Sequence, residues 1–270
     1  MKNSAVASVG TLLSISFNLT FYRRIRPASF AMPEQSVTVR HCHTVPEFEQ
    51  MVELEFVVWG FGERDVVPSQ MYVVAAKIGG QVLGAFVDDK MVGFALAYPG
   101  IRDGRPYLHS HMAAVLPEYR DLGIGRQLKL TQREDALARG IPLIEWTFDP
   151  LQTRNAYFNI CRLGVVVRRY LLDVYGATSS PLHGGLPTDR LVAEWHLASD
   201  RVESVLAGKE PAKGNASQSV EIVLDESSPA TIADTQAQAR RRFQELFAKG
   251  YVVTWFEKLP VGGAYLLEPT

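Results

Sequence analysis

Cysteine is almost missing from this chain of 270 residues: it has two, Cys42 and Cys161, and no C-x-x-C. That excludes a disulfide framework and fits a reducing, cytoplasmic compartment. An excess of positive charge is missing too. The formal net charge is −1, with 28 basic against 29 acidic residues, which excludes the electrostatic footprint of a nucleic-acid binder. There is no long apolar run. The stretch Val9–Phe17 is broken by serines and is too short to cross a bilayer, so no membrane partner is expected. Acidic residues are absent from residues 1–33, which contain Lys2, Arg23, Arg24 and Arg26; the first acid is Glu34. Such a start suits either a targeting peptide or a chain that properly begins at Met32. Residues 1–31 are therefore expected to be a leader outside the fold, untranslated or disordered. No internal repeat and no coiled-coil heptad is present.

The familiar phosphate-loop signatures are also absent. There is no G-K-[ST], and the pair Gly123-x-Gly125 has no third glycine after it. Residues 108–126, LHSHMAAVLPEYRDLGIGR, nevertheless carry a phosphate cradle of another kind. They read as an apolar strand ending Ala113-Ala114-Val115, a short turn, and a glycine-rich loop that opens a helix. Gly123 and Gly125 allow a tight turn and a close backbone approach. The free N–H groups from Leu122 through Ile124 to Arg126 face an anion at the positive end of the helix dipole. Arg120 and Arg126 add charge at the two ends of the loop. With 47% hydrophobic and 21% charged residues around it, this is an ordinary core-forming chain.

The run Arg120-Asp121-Leu122-Gly123-Ile124-Gly125, directly after that strand, resembles the coenzyme A loop of the GNAT superfamily of acyl-CoA N-acyltransferases. The resemblance covers about residues 38–176. It implies an α/β fold (α+β) in which a mixed, twisted sheet of about seven strands is flanked by helices. It also implies acyl-CoA, carrying acetyl or succinyl, as co-substrate, with no metal. The longer C-terminal part, with RNAYFNICRLG and GYVVTWFEKL, is similar to an uncharacterised long GNAT subgroup associated with N-succinylamino-acid racemases.

Periodicity and punctuation predict a first strand at Val37–Thr44 and a helix Glu47–Phe61 opened by Pro46. A second helix is expected at Ser69–Ile78, then a hairpin Val82–Val87 with Met91–Tyr98, and a connection Pro99–Arg105. The central strand is Tyr107–Val115, followed by a helix Gly123–Arg139 stopped at Gly140. Strand Leu143–Phe148, helix Gln152–Arg162, and strands Val165–Tyr170 and Leu191–Leu197 complete a domain expected over 32–200. Residues 207–219, AGKEPAKGNASQS, have linker composition. Residues 220–270 are expected to form a strand (Val220–Asp225), a helix (Thr231–Lys249) and a strand pair (Tyr251–Lys258, Ala264–Glu268). That extension is too small to stand alone and is expected to dock on the core, shaping the acceptor pocket or a homodimer interface.

The resemblance implies that Ala113, Ala114 and Val115 hold the pantetheine arm by backbone hydrogen bonds, with the Ala113 N–H aimed at the developing oxyanion. The cofactor loop then comprises Arg120, Asp121, Leu122, Gly123, Ile124, Gly125 and Arg126. His109 stands where lysine-acetylating relatives carry a glutamate base, and His111 shares its strand face. Either imidazole can take the proton of the incoming amine, or serve only as packing. The tyrosine acid and the asparagine usual near the last helix are here Ile160 and Thr153; Tyr157, or Asn155 and Asn159, are the nearest substitutes. Glu145 or Asp149 could hold a substrate ammonium, and one of Arg240, Arg241 and Arg242 a carboxylate. The reading is transfer of an acyl group to a primary amine, a small molecule such as an amino acid, by direct attack in a ternary complex. A non-catalytic acyl-CoA-sensing module and a protein lysine or N-terminal acetyltransferase are the alternatives.

Overall fold

The computed structural model describes residues 36–181, 185–209, 216–223 and 229–270. The expected leader, 1–31, lies outside the described residues, as does the middle of the expected linker, 210–215; Gln218 and Ser219 already belong to a strand.

The chain opens with β1 (Val37–His41) and α1 (Val45–Trp59). The Glu47 carboxylate accepts from the N–H groups of His43 (2.9 Å) and Thr44 (3.0 Å) and so caps the start of α1. After α2 (Ser69–Lys77) come β2 (Gln81–Val87), β3 (Lys90–Arg102) and β4 (Arg105–Val115). The expected connection Pro99–Arg105 is instead the end of a long hairpin. Asp103 and Gly104 both take positive φ, 52° and 73°, which gives a two-residue turn matching the strand twist. Helix α3 (Ile124–Ala138) leads to β5 (Leu143–Phe148) and the short α4 (Thr153–Tyr157). The expected helix Gln152–Arg162 is not uniform: Phe158–Arg162 winds as a π turn, closed by Leu163 N–H on the Phe158 carbonyl at 3.1 Å.

Strands β6 (Val166–Leu171) and β7 (Arg190–His196) are followed by α5 (Asp200–Leu206), which no sequence signal had marked. Then come β8 (Gln218–Ile222), α6 (Pro229–Ala248), β9 (Tyr251–Lys258) and β10 (Gly263–Pro269). The described strands form one ten-stranded sheet, ordered β1-β2-β3-β4-β5-β7-β6-β9-β10-β8, rather than about seven. The three extra strands belong to the C-terminal part, joined to β6 by the pair Val167↔Val253. All pairs are antiparallel except β4 with β5.

Helices α1 and α2 cover one face of the first four strands, with Phe48, Met51, Tyr72, Phe94, Met112 and Ala114 between them. The opposite face is covered by α3 through Ile124 and Leu128. Farther along, one continuous apolar cluster runs from Trp146, Ile160 and Trp195 to Phe243, Phe256 and Tyr265. Ser36–Thr270 is a single compact unit. Both cysteines are buried and neither is in a disulfide.

Candidate active site

The glycine loop has the geometry of an anion cradle. Gly123 caps α3 in the left-handed region, φ 80°, with no side-chain cap on the helix start. The N–H groups of Ile124, Gly125 and Arg126 are thus left to an outside acceptor. A Cβ built on Gly123 or Gly125 meets nothing within 4 Å, so the space in front of the loop is open. Leu122 is exposed, Asp121 pairs with Arg154 at 2.6 Å, and the Arg120 Nε lies 3.3 Å from the Val115 carbonyl. Arg126 reaches the Leu206 carbonyl at 3.4 Å.

Beside the cradle, β4 has a free edge. Its pairing with β5 is confined to Leu108↔Ile144 and His109↔Glu145. Beyond that point the two strands part. Leu116 N–H donates to Val92 of β3 at 2.9 Å, so strand alternation turns the backbone of Ala113 and Val115 the other way, into the opening. The sequence had missed one irregularity here. The register shifts between Leu96 and Ala97, which pair with Met112 and Ser110 and leave His111 as an extra residue. The bulge puts His109, His111, Met112 and Ala114 on the α1–α2 face, and Ser110, Ala113 and Val115 on the α3 face. The His109 and His111 rings lie 6.3 Å apart, with Tyr98 5.8 Å from His111.

Residues 46–158 match the model of the acetyltransferase (GNAT) family. That segment of the chain is a GNAT domain. It is an acyl-CoA-dependent N-acyltransferase by that membership. No curated protein matches the chain. Among solved structures, it is similar to the ribosomal-protein-S18-alanine N-acetyltransferase from Escherichia coli, at 14% identity over 61% of this chain and 96% of that one, TM-score 0.48. It is also similar to yncA, a putative acetyltransferase from Salmonella typhimurium with acetyl-CoA, at 15% identity over 61% and 95%, TM-score 0.48. A third, Arabidopsis thaliana Naa50 in complex with a bisubstrate analogue, shows 17% identity over 59% and 97%, TM-score 0.47.

On the α1–α2 face of this GNAT sheet, both imidazoles are held neutral near pH 7. Burial pushes His111 down to about 4, helped by His109. Burial also lowers His109; the Glu145 carboxylate works against that, and Lys129, Arg102 and Arg169 work with it. A base near 4 holds an amine's proton poorly, so His109 is the better acceptor of the two. Glu145, one of the two carboxylates that could hold a substrate ammonium, is not available for it. It is buried and clamped by Arg102, whose Nη2 donates at 2.7 Å, and by Arg169. Arg169 also reaches Glu194 at 3.2 Å, and Arg168 reaches the same carboxylate at 3.0 Å. Arg240 is likewise taken: it forks the buried Asp189 at 2.8 and 3.0 Å. Asp149 caps its own turn through Leu151 N–H at 2.8 Å.

The loops flanking this face are tied together. In the β6–β7 connection, Ser179 Oγ accepts from Gly62 N–H at 2.7 Å and donates to Asp65 at 2.6 Å, and Ser180 Oγ donates to the Trp59 carbonyl at 2.6 Å. At the other end of the opening, Tyr157 is half-buried with the Lys258 Nζ 3.8 Å from its ring centre, while Asn155 is exposed and Ile160 fully buried. A cavity of about 110 Å³ there is lined by Tyr157, Arg126, Arg162, Lys209 and Trp255, so residues after 200 complete its wall. Arg102, Arg169, Glu194 and Lys129 carried no functional signal in the sequence, because each depends on strand neighbours far apart in the chain. Among the described residues no cluster of His, Cys, Asp and Glu could hold a metal ion, and no helix is long and apolar enough to cross a membrane.

Proposed function

We propose that the protein moves an acyl group from acyl-CoA onto the primary amine of a small molecule, an amino acid, in a ternary complex. The observation that carries this reading is the unpaired edge of β4 at Ala113 and Val115, lying between the open glycine cradle and the neutral His109. The cradle N–H groups suit the pyrophosphate, and the cavity with Arg126, Arg162 and Lys209 suits the nucleotide phosphate. The pantetheine arm then lies along Ala113, Ala114 and Val115. His109 takes a proton from the ammonium, directly or through water, and the freed amine attacks the thioester carbon. The Ala113 N–H faces the oxygen as its charge develops. When the C–S bond breaks, the sulfur leaves as thiolate and takes a proton from Tyr157, and the nitrogen gives up its second proton as the amide forms, restoring the phenol.

The charge on the acceptor side favours an amino acid. Arg102, Arg168 and Arg169 stand against only two carboxylates, Glu145 and Glu194, which leaves one net positive charge beside His109. The tied loops over that face suit a small acceptor better than a protein chain.

The experiment is coenzyme A thiol release by the chain started at Met32, with acetyl-CoA and succinyl-CoA against D- and L-amino acids, polyamines and a lysine peptide. Release with amino acids is the expected result. Release with the peptide alone would make it a protein acetyltransferase. CoA binding without release for any amine would make it a sensor.

A further inference from the structure

A buried polar cluster lies where β4 and β5 part, on the face opposite the histidines. Lys129 of α3, 5% exposed, donates from Nζ to Ser110 Oγ at 2.8 Å and sits 4.0 Å from the centre of the Trp146 ring. Ser110 and Trp146 are the first residues of β4 and β5 beyond their last pair, His109↔Glu145. The Lys129 ammonium is therefore at the apex of the opening. Among the described residues no carboxylate lies within ion-pair distance of it, which is rare for a buried lysine. Ser110 passes its own hydrogen to Gln132 Oε1 at 3.2 Å. The Gln132 Nε2, fully buried, has no acceptor.

The bookkeeping of hydrogens is one-sided. Lys129 brings three N–H groups and uses one on an oxygen, and the Gln132 amide brings two more with no acceptor, against a single buried oxygen nearby without a donor, Gln81 Oε1, whose own amide donates to the Gln132 carbonyl at 2.8 Å. Buried donors without acceptors, around an unbalanced positive charge, are costly unless something negative fills the gap. A water offers as many hydrogens as lone pairs and leaves the charge standing. A carboxylate offers only lone pairs and cancels it.

On the reading that the acyl thioester lies along β4 at Ala113, we infer that Lys129, Ser110 and Gln132 bind the terminal carboxylate of a dicarboxylic acyl group carried by coenzyme A. Three residues of strand, about 10 Å, separate Ala113 from Ser110. A two-carbon acetyl group does not cover that distance; a longer chain ending in a carboxylate approaches it. Burial holds the Lys129 amine down at about 7 while nothing negative is beside it. Serine and glutamine at 110 and 132 replace apolar contacts on both sides of the lysine, so the polar character is shared by two elements.

The test is the dissociation constants of CoA, acetyl-CoA and succinyl-CoA for the full chain and for Lys129→Met, by calorimetry. Succinyl-CoA should bind the natural chain at least about tenfold more tightly than acetyl-CoA, as one charge-assisted contact supplies. In Lys129→Met the two thioesters should bind alike. Equal affinity in the natural chain would overturn the inference with CoA binding intact, and so would a preference that survives the substitution. A free amino acid whose affinity falls in Lys129→Met, while the thioesters bind equally, would assign the site to the acceptor and overturn it as well. Failure of the folded chain to bind any of the three would instead sink the coenzyme A assignment itself. The comparison of thioesters in the natural chain decides the matter even if the variant does not fold.

Discussion

At the scale of single residues, the cradle and the base make separable predictions. Gly125 sits at the second position of α3 with open space where its Cβ would be. Glutamate there places a carboxylate in the phosphate site without disturbing any packed neighbour. Gly125→Glu should therefore weaken CoA binding by at least about a hundredfold while leaving the melting temperature within a few degrees. Unchanged affinity by calorimetry would remove the phosphate role from the loop. His109 acts on rate rather than affinity. Burial lowers its pKa below the ordinary 6.5, so its imidazole stays unprotonated down to a lower pH than a free histidine. Turnover should hold through neutrality and fall only as pH drops below that lowered value. His109→Ala should cost about 10²–10⁴ in kcat and erase that acid limb, which a pH–rate profile reads directly. An acid limb unchanged in the variant would reduce His109 to packing. The cradle was legible in the sequence because its glycines and the strand before it are contiguous. Lys129 was not, because on α3 it lies one position beyond the inward stripe of Ile124, Leu128, Gln132 and Ala136, and only the sheet beneath shows that it is buried.

At the scale of elements, local signals carried most of the order of strands and helices, and tertiary pairing decided the rest. The Asp103-Gly104 turn was passed over within the expected connection Pro99–Arg105, because Pro99 and Gly100 disguised the strand they interrupt. The bulge at His111 leaves no mark in the sequence, since it arises from the register of β3 against β4. Helix α5 is seven residues long, too short for a period to show, and its start is set by Ser199 accepting from Val202 N–H at 3.3 Å. The contacts of α6 were also invisible. Its Arg240 was one of three arginines that could hold a ligand carboxylate, but it neutralises Asp189, which is fully buried and also accepts from Tyr170 Oη at 2.8 Å and Asp173 N–H at 3.1 Å. Removing one partner leaves a buried carboxylate uncompensated. Arg240→Ala should cost about 3–5 kcal/mol in urea unfolding, whereas Arg242→Ala, at an exposed i,i+3 pair, should cost under about 1 kcal/mol. Equal small losses at both positions would mean that α6 is held by its apolar face alone.

At the scale of the whole molecule, the question is whether the C-terminal strands are an appendage or part of one cooperative body. Sheet pairing between the two parts is slight, a single register pair between β6 and β9. Side chains join them far more extensively. Tyr265 is fully buried and donates its hydroxyl to the Pro150 carbonyl at 2.7 Å, and Cys161 Sγ lies 3.3 Å from the Phe256 carbonyl. Arg201 of α5 bonds the Gly164 carbonyl at 3.0 Å and the Thr254 carbonyl, spanning both parts. Phe243, Phe256 and Tyr265 share one apolar cluster with Trp146, Ile160 and Trp195, with Phe256 and Tyr265 packed edge to face at 4.8 Å. Cutting the chain at Lys209 would expose that cluster, the π turn beside Tyr157, and the wall of the cavity that Trp255 completes. Unfolding should therefore be a single transition by calorimetry, with the calorimetric and van't Hoff enthalpies equal, and CoA should raise its midpoint as a whole. Residues 32–209 alone should not give a folded, CoA-binding protein. Two transitions, with only the first responding to CoA, would make the C-terminal strands a separate domain. The arrangement of Lys258 over Tyr157 would then bear on packing rather than on the site.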